Sequence, residues 1–386
     1  MQQLRVLVFS AAFGNGHLRA AEAVIEGILL KHPSAKIIHL DFGDFLNQTI
    51  NTVIKIGYSK MLKYIPKVWG RLYYKTGKIQ PRSKSQSFLN QLGRSHFLKY
   101  VKEFKPNFIV CTYPTVSSIL AQLRLEQLLQ VPVITVITDY TVHSHWVHQG
   151  VDGYIVSCTE VRERLVSWGI KLQRIYMTGI PVSLKFEGKI DRRHIITKLG
   201  LKSGLPTFLV MGGSYGVLNS AKRICKNLAD SLLPVQTIIV CGKNKKLYQS
   251  LEEVIKQGRN TMIRLEFVDN VEELMSVSDL IITKAGGLTV SEALTKHLPL
   301  VIYKPIPGQE EENAHFVQHI GAGLVAGNEK ELEQILNRFI RHPEDIEKMR
   351  RKAALALPGH STERAVEAML ELASNLDKNK ISVRNV

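Results

Sequence analysis

The chain reads as an α/β protein built from two doubly wound lobes. Short apolar runs alternate with segments of helical spacing through most of the 386 residues. That is the pattern of βαβ units and of a parallel sheet covered on both faces. The alternation occurs in two series, with a polar, glycine-bearing stretch between them, and the length suits two domains of ordinary size.

In the first series, Leu4–Ser10, Lys36–Leu40, Asn107–Cys111, Val133–Ile137, Gly153–Val156 and Arg174–Met177 are predicted strands. The second series comprises Thr207–Met211, Thr237–Cys241, Met262–Phe267, Leu280–Ile282 and Leu300–Tyr303, again with helices between. Near the end, Thr362–Lys378 carries Ala365, Met369, Leu372 and Leu376 on one stripe, as an amphipathic helix does. These elements predict an N-terminal domain over 1–183 and a linker over 184–206, with Gly188, Gly200, Gly204 and Pro206. A C-terminal domain over 207–360 follows, then a helix over 361–379 expected to pack back on the N-terminal lobe. Open α/β sheets bind ligands beyond the carboxyl ends of their strands, so the site is expected in the cleft between the lobes.

Composition narrows the function. A content of 45% hydrophobic residues excludes a disordered, collagen-like or disulfide-scaffold protein. Lys and Arg outnumber Asp and Glu by 51 to 34, a formal net charge of +17, which points to an anionic partner. No zinc-finger or RNP-like pattern occurs, so nucleic acid is not the expected one. Cys111, Cys158, Cys225 and Cys241 show no metal-type spacing and suit buried thiols in a reducing, cytoplasmic setting. The opening MQQLRVLVFS runs into a strand and lacks the apolar core of a signal peptide. No window offers 18 apolar residues, so membrane contact is expected to be peripheral.

One segment departs from the alternation. Phe45–Lys102 contains no acid and carries twelve cations, among them Lys55, Lys60, Lys63, Lys67 and Arg71. Trp69 and Tyr73 are interleaved with them. A basic helix with apolar and aromatic residues on its other side can lie in a membrane interface, and each cation adds on the order of 1 kcal/mol near an anionic leaflet. A solvated amphipathic helix packed on its own domain fits the same spacing.

Five motifs follow strands. SAAFGNGHLRAAEAV, Ser10–Val24, is a glycine-bearing turn into a helix that places Gly16 and His17 at its start. Amide groups there attract anions, and an imidazole there can take a proton from a hydroxyl; a helix-capping histidine fits equally. TDYTVHSHW, Thr138–Trp146, gathers Asp139, His143 and His145 on one loop. Its ligands are too few for a metal site, and a polar loop that positions an acceptor hydroxyl or orients His17 is preferred. MGGSYG brings Gly212, Gly213 and Ser214 to a helix start, and TKAGGLTVSEAL does the same with Gly286, Gly287, Leu288 and Thr289. Either turn needs glycine for tightness alone; two in one lobe favour a shared diphosphate ligand. Glu292, a turn further in, can accept both hydroxyls of a ribose or simply suit the helix dipole. PGQEEENA offers Gln309 and Glu310 as hydroxyl partners, or as ordinary acids at a helix start.

With GNGH, TDYTVHSHW, TGIPV, GGSYG, TKAGGLTVSEAL and GQEEENA in this order, the sequence resembles the monogalactosyldiacylglycerol synthases and bacterial processive diacylglycerol β-glucosyltransferases. The resemblance spans roughly residues 5–375. It implies the GT-B fold and an inverting, UDP-sugar-dependent hexosyltransferase acting on diacylglycerol or a glycosyl-diacylglycerol. It implies that Gly212, Gly213 and Ser214 face the diphosphate, supported by Gly287, Leu288 and Thr289. Glu292 would hold the ribose, Gln309 and Glu310 the sugar, and Phe267 and Val268 of EFVDN the uracil. His17 would be the general base, with Asp139 and His145 near the acceptor. Ala285 stands where these glucosyltransferases often have proline. No cofactor and no protein-bound metal is expected, since helix-start amides can stabilise the leaving diphosphate. The enzyme is expected on the inner face of the cell membrane, on an anionic surface. Transfer of N-acetylglucosamine to a polyprenyl-linked or other lipid acceptor, or UDP-sugar 2-epimerisation, are the alternatives.

Overall fold

A computed structural model describes residues 3–11, 15–45, 57, 61, 65–77, 94–212, 220–357 and 359–384, with side chains as far as 376. The chain divides into two compact units. The first is Met1–Leu184 with Pro307–Gln309 and Pro358–Val386; the second is Lys185–Ile306 with Glu310–Leu357.

In chain order the first unit contains β1 (Arg5–Ser10), α1 (Asn15–Lys31), β2 (Lys36–Asp41), α2 (Pro66–Thr76), α3 (Arg94–Phe104) and β3 (Phe108–Cys111). Then come α4 (Pro114–Leu125), β4 (Val133–Val136), β5 (Gly153–Val156), α5 (Thr159–Ser167) and β6 (Ile175–Met177). Its six strands are all parallel, in the order β2-β1-β3-β4-β5-β6. Both faces are covered. Along β1, Leu7 and Phe9 join a core with Phe97 of α3 and Ile119 of α4, while Val6 and Val8 join another with Val24 and Ile28 of α1. The period of two explains the division, and burial on both faces explains why β1 reads as a continuous apolar run.

The second unit begins with α6 (Arg192–Lys198), β7 (Thr207–Met211), α7 (Ala221–Ala229), β8 (Gln236–Val240), α8 (Lys245–Ser250), α9 (Glu252–Gln257) and β9 (Met262–Leu265). It continues with α10 (Val271–Val277), β10 (Leu280–Thr283), α11 (Gly287–Thr295), β11 (Leu300–Tyr303), α12 (Gln309–His319), β12 (Gly323–Ala326), α13 (Glu329–Arg341) and α14 (Pro343–Ala356). Its parallel sheet runs β12-β11-β10-β7-β8-β9. The order reverses between β7 and β10, which pair directly with Met211 opposite Thr283. Two parallel sheets flanked by helices make two Rossmann-like lobes, the GT-B class.

Two details differ from the sequence reading, and the terminal helix lies where it was expected. A further strand, β12 (Gly323–Ala326), pairs with β11 and was not among the predicted runs. Within 184–206, α6 forms, capped by the Asp191 side chain accepting from the His194 amide, and its Ile195 is buried. It packs against α10, so this stretch is part of the second unit. The terminal helix α15 (Ser361–Arg384) lies on α1 in the first unit, where Ala365, Val366 and Met369 are fully buried. Gly27 permits the crossing: a Cβ there would meet Thr362 at 2.8 Å and Val366 at 3.0 Å.

Candidate active site

In the first unit, three strand ends converge on His17. β1 delivers the chain to α1, whose first turn holds Gly16 and His17. β3, next to β1 in the sheet, delivers Thr112 and Tyr113. The Thr112 hydroxyl donates to the His17 carbonyl at 2.8 Å, and the Tyr113 ring stands edge-on to the imidazole at 5.3 Å. β4 delivers Thr138, whose Oγ1 is 3.0 Å from His17 Nδ1. Trp146 lies 6.1 Å away, tilted against the same ring. Burial among these groups pulls the imidazole down to about 4, against an opposing hydrogen bond to the Thr112 backbone. His17 is therefore neutral at pH 7, with one ring nitrogen committed to Thr138.

The Thr138–His148 loop is held from several sides. Tyr154 of β5 lies beneath it: the His148 amide donates to the phenol oxygen at 2.8 Å, and the hydroxyl is 2.9 Å from the His148 carbonyl. Ser157 donates to the Asp139 carbonyl at 2.8 Å. At the start of β4, Arg124 grips Asp152 with two nitrogens at 2.8 and 3.1 Å, while the same carboxylate accepts from the Val133 amide. Gly150 lies against α4 so closely that a Cβ would sit 2.0 Å from the Ala121 carbonyl oxygen. Asp139 is buried at 8% exposure, and burial lowers His145 to about 4 and His148 to about 3. The two imidazoles are neutral at pH 7.

In the second unit the two glycine-led motifs follow adjacent strands at the point where the strand order reverses. Gly212 follows β7; Gly213 and Ser214 lie outside the described residues. After β10 come Lys284, Ala285 and Gly286, then α11, whose first turn carries no acid. Leu288 is buried and Thr289 is half-buried. A Cβ on Gly286 would meet nothing within 4 Å. The fully buried Asn313 of α12 donates to the Ala285 carbonyl at 3.0 Å and pins the turn. Glu292 is half-buried on α11. Gln309 and Glu310 open α12; the Glu310 carboxylate accepts from the Ile306 amide at 3.0 Å, and burial raises it while Lys284 opposes. After β9, Phe267 is 48% exposed with the Lys243 ammonium 5.8 Å over its ring, and Val268 is beside it. An exposed ring suits stacking against a planar base.

Of the basic segment, Lys55, Lys60 and Lys63 lie outside the described residues. On α2, Lys67 and Arg71 are exposed with Lys75, next to a strip of Ile65, Val68 and Leu72 that are 50%, 51% and 46% exposed. Trp69 and Tyr73 point the other way: both are half-buried, and Tyr73 packs on His143 at 4.9 Å. Helical spacing explains it, since positions four apart share a face. Of the apolar and aromatic residues in the sequence reading, Trp69 and Tyr73 are not on the outward strip, which is Ile65, Val68 and Leu72, while Tyr74 on the same helix is 41% exposed. Among the described residues no helix is long and apolar enough to cross a membrane.

Sequence reasoning missed Thr138, Tyr113, Asn313 and Lys284. Thr138 and Lys284 sit at the ends of predicted strands beside residues already singled out, and that position was the available signal. Tyr113 comes from a distant element and carried none; Asn313 lay inside the PGQEEENA motif, of which only Gln309 and Glu310 were read as partners.

The model of the monogalactosyldiacylglycerol (MGDG) synthase family matches residues 17–182, and that of the glycosyltransferase family 28 C-terminal domain matches 207–368. A processive diacylglycerol beta-glucosyltransferase of Bacillus cereus is 32% identical over 328 residues, 85% of this chain and 83% of its own. One of Bacillus pumilus is 29% identical over 381 residues, 98% of each chain. Among solved structures, Acinetobacter baumannii MurG aligns with a TM-score of 0.64 at 16% identity, over 96% of this chain and 100% of that one. That last likeness is one of fold.

Proposed function

The chain belongs to the processive diacylglycerol β-glucosyltransferase family, and on that premise we propose that it moves a hexose from a UDP-sugar to diacylglycerol or a glycosyl-diacylglycerol, with inversion. The observation that carries the donor half is the adjacency of β7 and β10 at the reversal of strand order, with the glycine-led start of α11 directly after β10. Backbone amides at a helix start beyond the carboxyl ends of these strands suit a diphosphate, and the start of the helix adds positive potential. Lys284 adds a formal charge to the same turn.

The acceptor half rests on His17. With its proton on Nδ1, donated to Thr138, the imidazole presents the Nε2 lone pair. Nε2 takes the proton of the acceptor hydroxyl as that oxygen bonds to the anomeric carbon and the bond to UDP breaks. The electron pair leaves with the diphosphate, where the amides of α11 and Lys284 stabilise it. In this reading these groups do the work of a divalent ion, so chelation with EDTA leaves the rate unchanged. Asp139 and His145 belong to the acceptor side, Glu292 to the ribose, Gln309 and Glu310 to the sugar.

The outward face of α2, with Lys67, Arg71 and Lys75 beside Ile65, Val68 and Leu72, suits the cytoplasmic face of an anionic membrane. One experiment tests the whole reading. The purified chain is incubated with diacylglycerol vesicles and, separately, radiolabelled UDP-glucose, UDP-galactose and UDP-N-acetylglucosamine, and the extracted lipids are chromatographed. A labelled glycolipid is expected with one hexose donor. Labelled lipid only from UDP-N-acetylglucosamine replaces the donor; no labelled lipid with any donor refutes the function.

A further inference from the structure

Both nitrogens of the His143 imidazole are assigned by their partners. The His145 backbone amide donates to Nδ1 at 3.2 Å, so Nδ1 holds a lone pair and the proton is on Nε2. Nε2 faces two oxygens, the Tyr73 carbonyl and the Thr76 hydroxyl, each at 3.1 Å. The carbonyl only accepts. The hydroxyl donates to the Leu72 carbonyl at 2.7 Å, which leaves it as an acceptor toward Nε2. The next residue repeats the attachment: Ser144 Oγ donates to the Thr76 carbonyl at 3.1 Å. That carbonyl is one of those that a helix end leaves without an internal partner.

Two further observations agree. The Tyr73 and His143 rings pack at 4.9 Å. Gly77 ends α2 with an ordinary φ of −61°, so backbone freedom does not require glycine there. Space is tight instead: a Cβ would lie 3.2 Å from the Tyr73 carbonyl oxygen, 3.3 Å from His143 Cδ2 and 3.4 Å from Nε2. The segments joined are some seventy residues apart in sequence. One of them carries Asp139 and Thr138; the other exposes the mixed basic and aliphatic face on its opposite side.

We propose that His143 is a positioning residue which, with Ser144, fastens the end of α2 to the Thr138–His148 loop, so that the surface-docking helix and the acceptor loop form one piece. Diacylglycerol lifted from the bilayer beside α2 then meets the loop without a hinge between them. This deepens, and rests on, the reading of the chain as a lipid glycosyltransferase. Burial holds the imidazole below its ordinary range, which keeps the Nδ1 acceptor available at pH 7.

The test uses the full chain with diacylglycerol in vesicles of phosphatidylglycerol and phosphatidylcholine. His143→Ala and Gly77→Val each raise the KM for diacylglycerol about tenfold, as loss of one or two partly buried hydrogen bonds should. The KM for the UDP-sugar and kcat move far less. His143→Gln, whose amide reaches the Tyr73 carbonyl, recovers most of the loss. Hydrogen exchange of the Tyr73–Gly77 amides quickens by about tenfold in His143→Ala, while that of β4 is unchanged. Should His143→Ala not fold, Gly77→Ala, which makes the ring give by a few tenths of an ångström, stands in for it. A fall in kcat matching the rise in KM, an unchanged KM, or unchanged exchange overturns the latch. A parent chain that glycosylates no lipid, with exchange altered as described, overturns the enzymatic reading and leaves the latch standing.

Discussion

Acid separates the His17 of this site from an ordinary histidine. Burial against Tyr113, Trp146 and Thr138 lowers its pKa from 6.5 to about 4. At pH 5.0 a group titrating at about 4 is about nine-tenths neutral, whereas one at 6.5 is about 3% neutral, a roughly thirtyfold difference in available base. Initial rates at subsaturating donor and acceptor report kcat/KM, which follows the free enzyme. From pH 8.0 to 5.0 this quantity is expected to stay within about twofold on the basic-group limb. The fold itself weakens over the same interval. His17 has a folded pKa below its unfolded value, so the unfolded chain takes the proton first, and stability present above 6.5 is lost as the pH falls toward 4. By pH 5.0 that loss is about 2 kcal/mol for His17, with His145 and His148 acting in the same direction. Near-UV circular dichroism at each pH therefore accompanies the rates. A limb of unit slope with its midpoint near 6.5, in protein that remains folded, would refute the account of His17 as a buried neutral base.

Other expectations concern both units. Gly286→Val adds atoms where nothing lies within 4 Å, so melting temperature should hold while the KM for the UDP-sugar rises at least about tenfold; unchanged donor affinity would remove this turn from the diphosphate site. Asn313→Ala leaves the Ala285 carbonyl unpaired in the interior and should cost about 1–3 kcal/mol in denaturant unfolding, with weaker donor binding. Replacing Lys67, Arg71 and Lys75 by Glu should abolish flotation with anionic vesicles in low salt and spare UDP affinity; retained flotation would place the docking face elsewhere.

How far the sequence reached depended on how local each signal was. Periodicity and glycine-led turns are properties of neighbouring residues, and they were enough to predict eleven of the twelve strands among the described residues, with ends off by a residue or two. They also put His17, Asp139, Gly212 and Gly287 at strand ends, where open sheets bind ligands. The family resemblance lay in the same local motifs. β12 escaped; it is an edge strand that pairs only with β11 and is half-buried at Leu324 and Val325.

What the sequence could not supply were meetings between residues far apart in the chain. Sheet order places β3 beside β1, and so brings Thr112 and Tyr113 to His17. It places β10 beside β7, and so sets the start of α11 next to the end of β7. The orientation of Trp69 and Tyr73, and the hold of His143 on α2, follow from packing that no spacing rule encodes. The local chain determined which chemical groups this protein carries. Tertiary structure decided which are buried, and burial, by stripping water from an imidazole, sets the charge it bears at neutral pH.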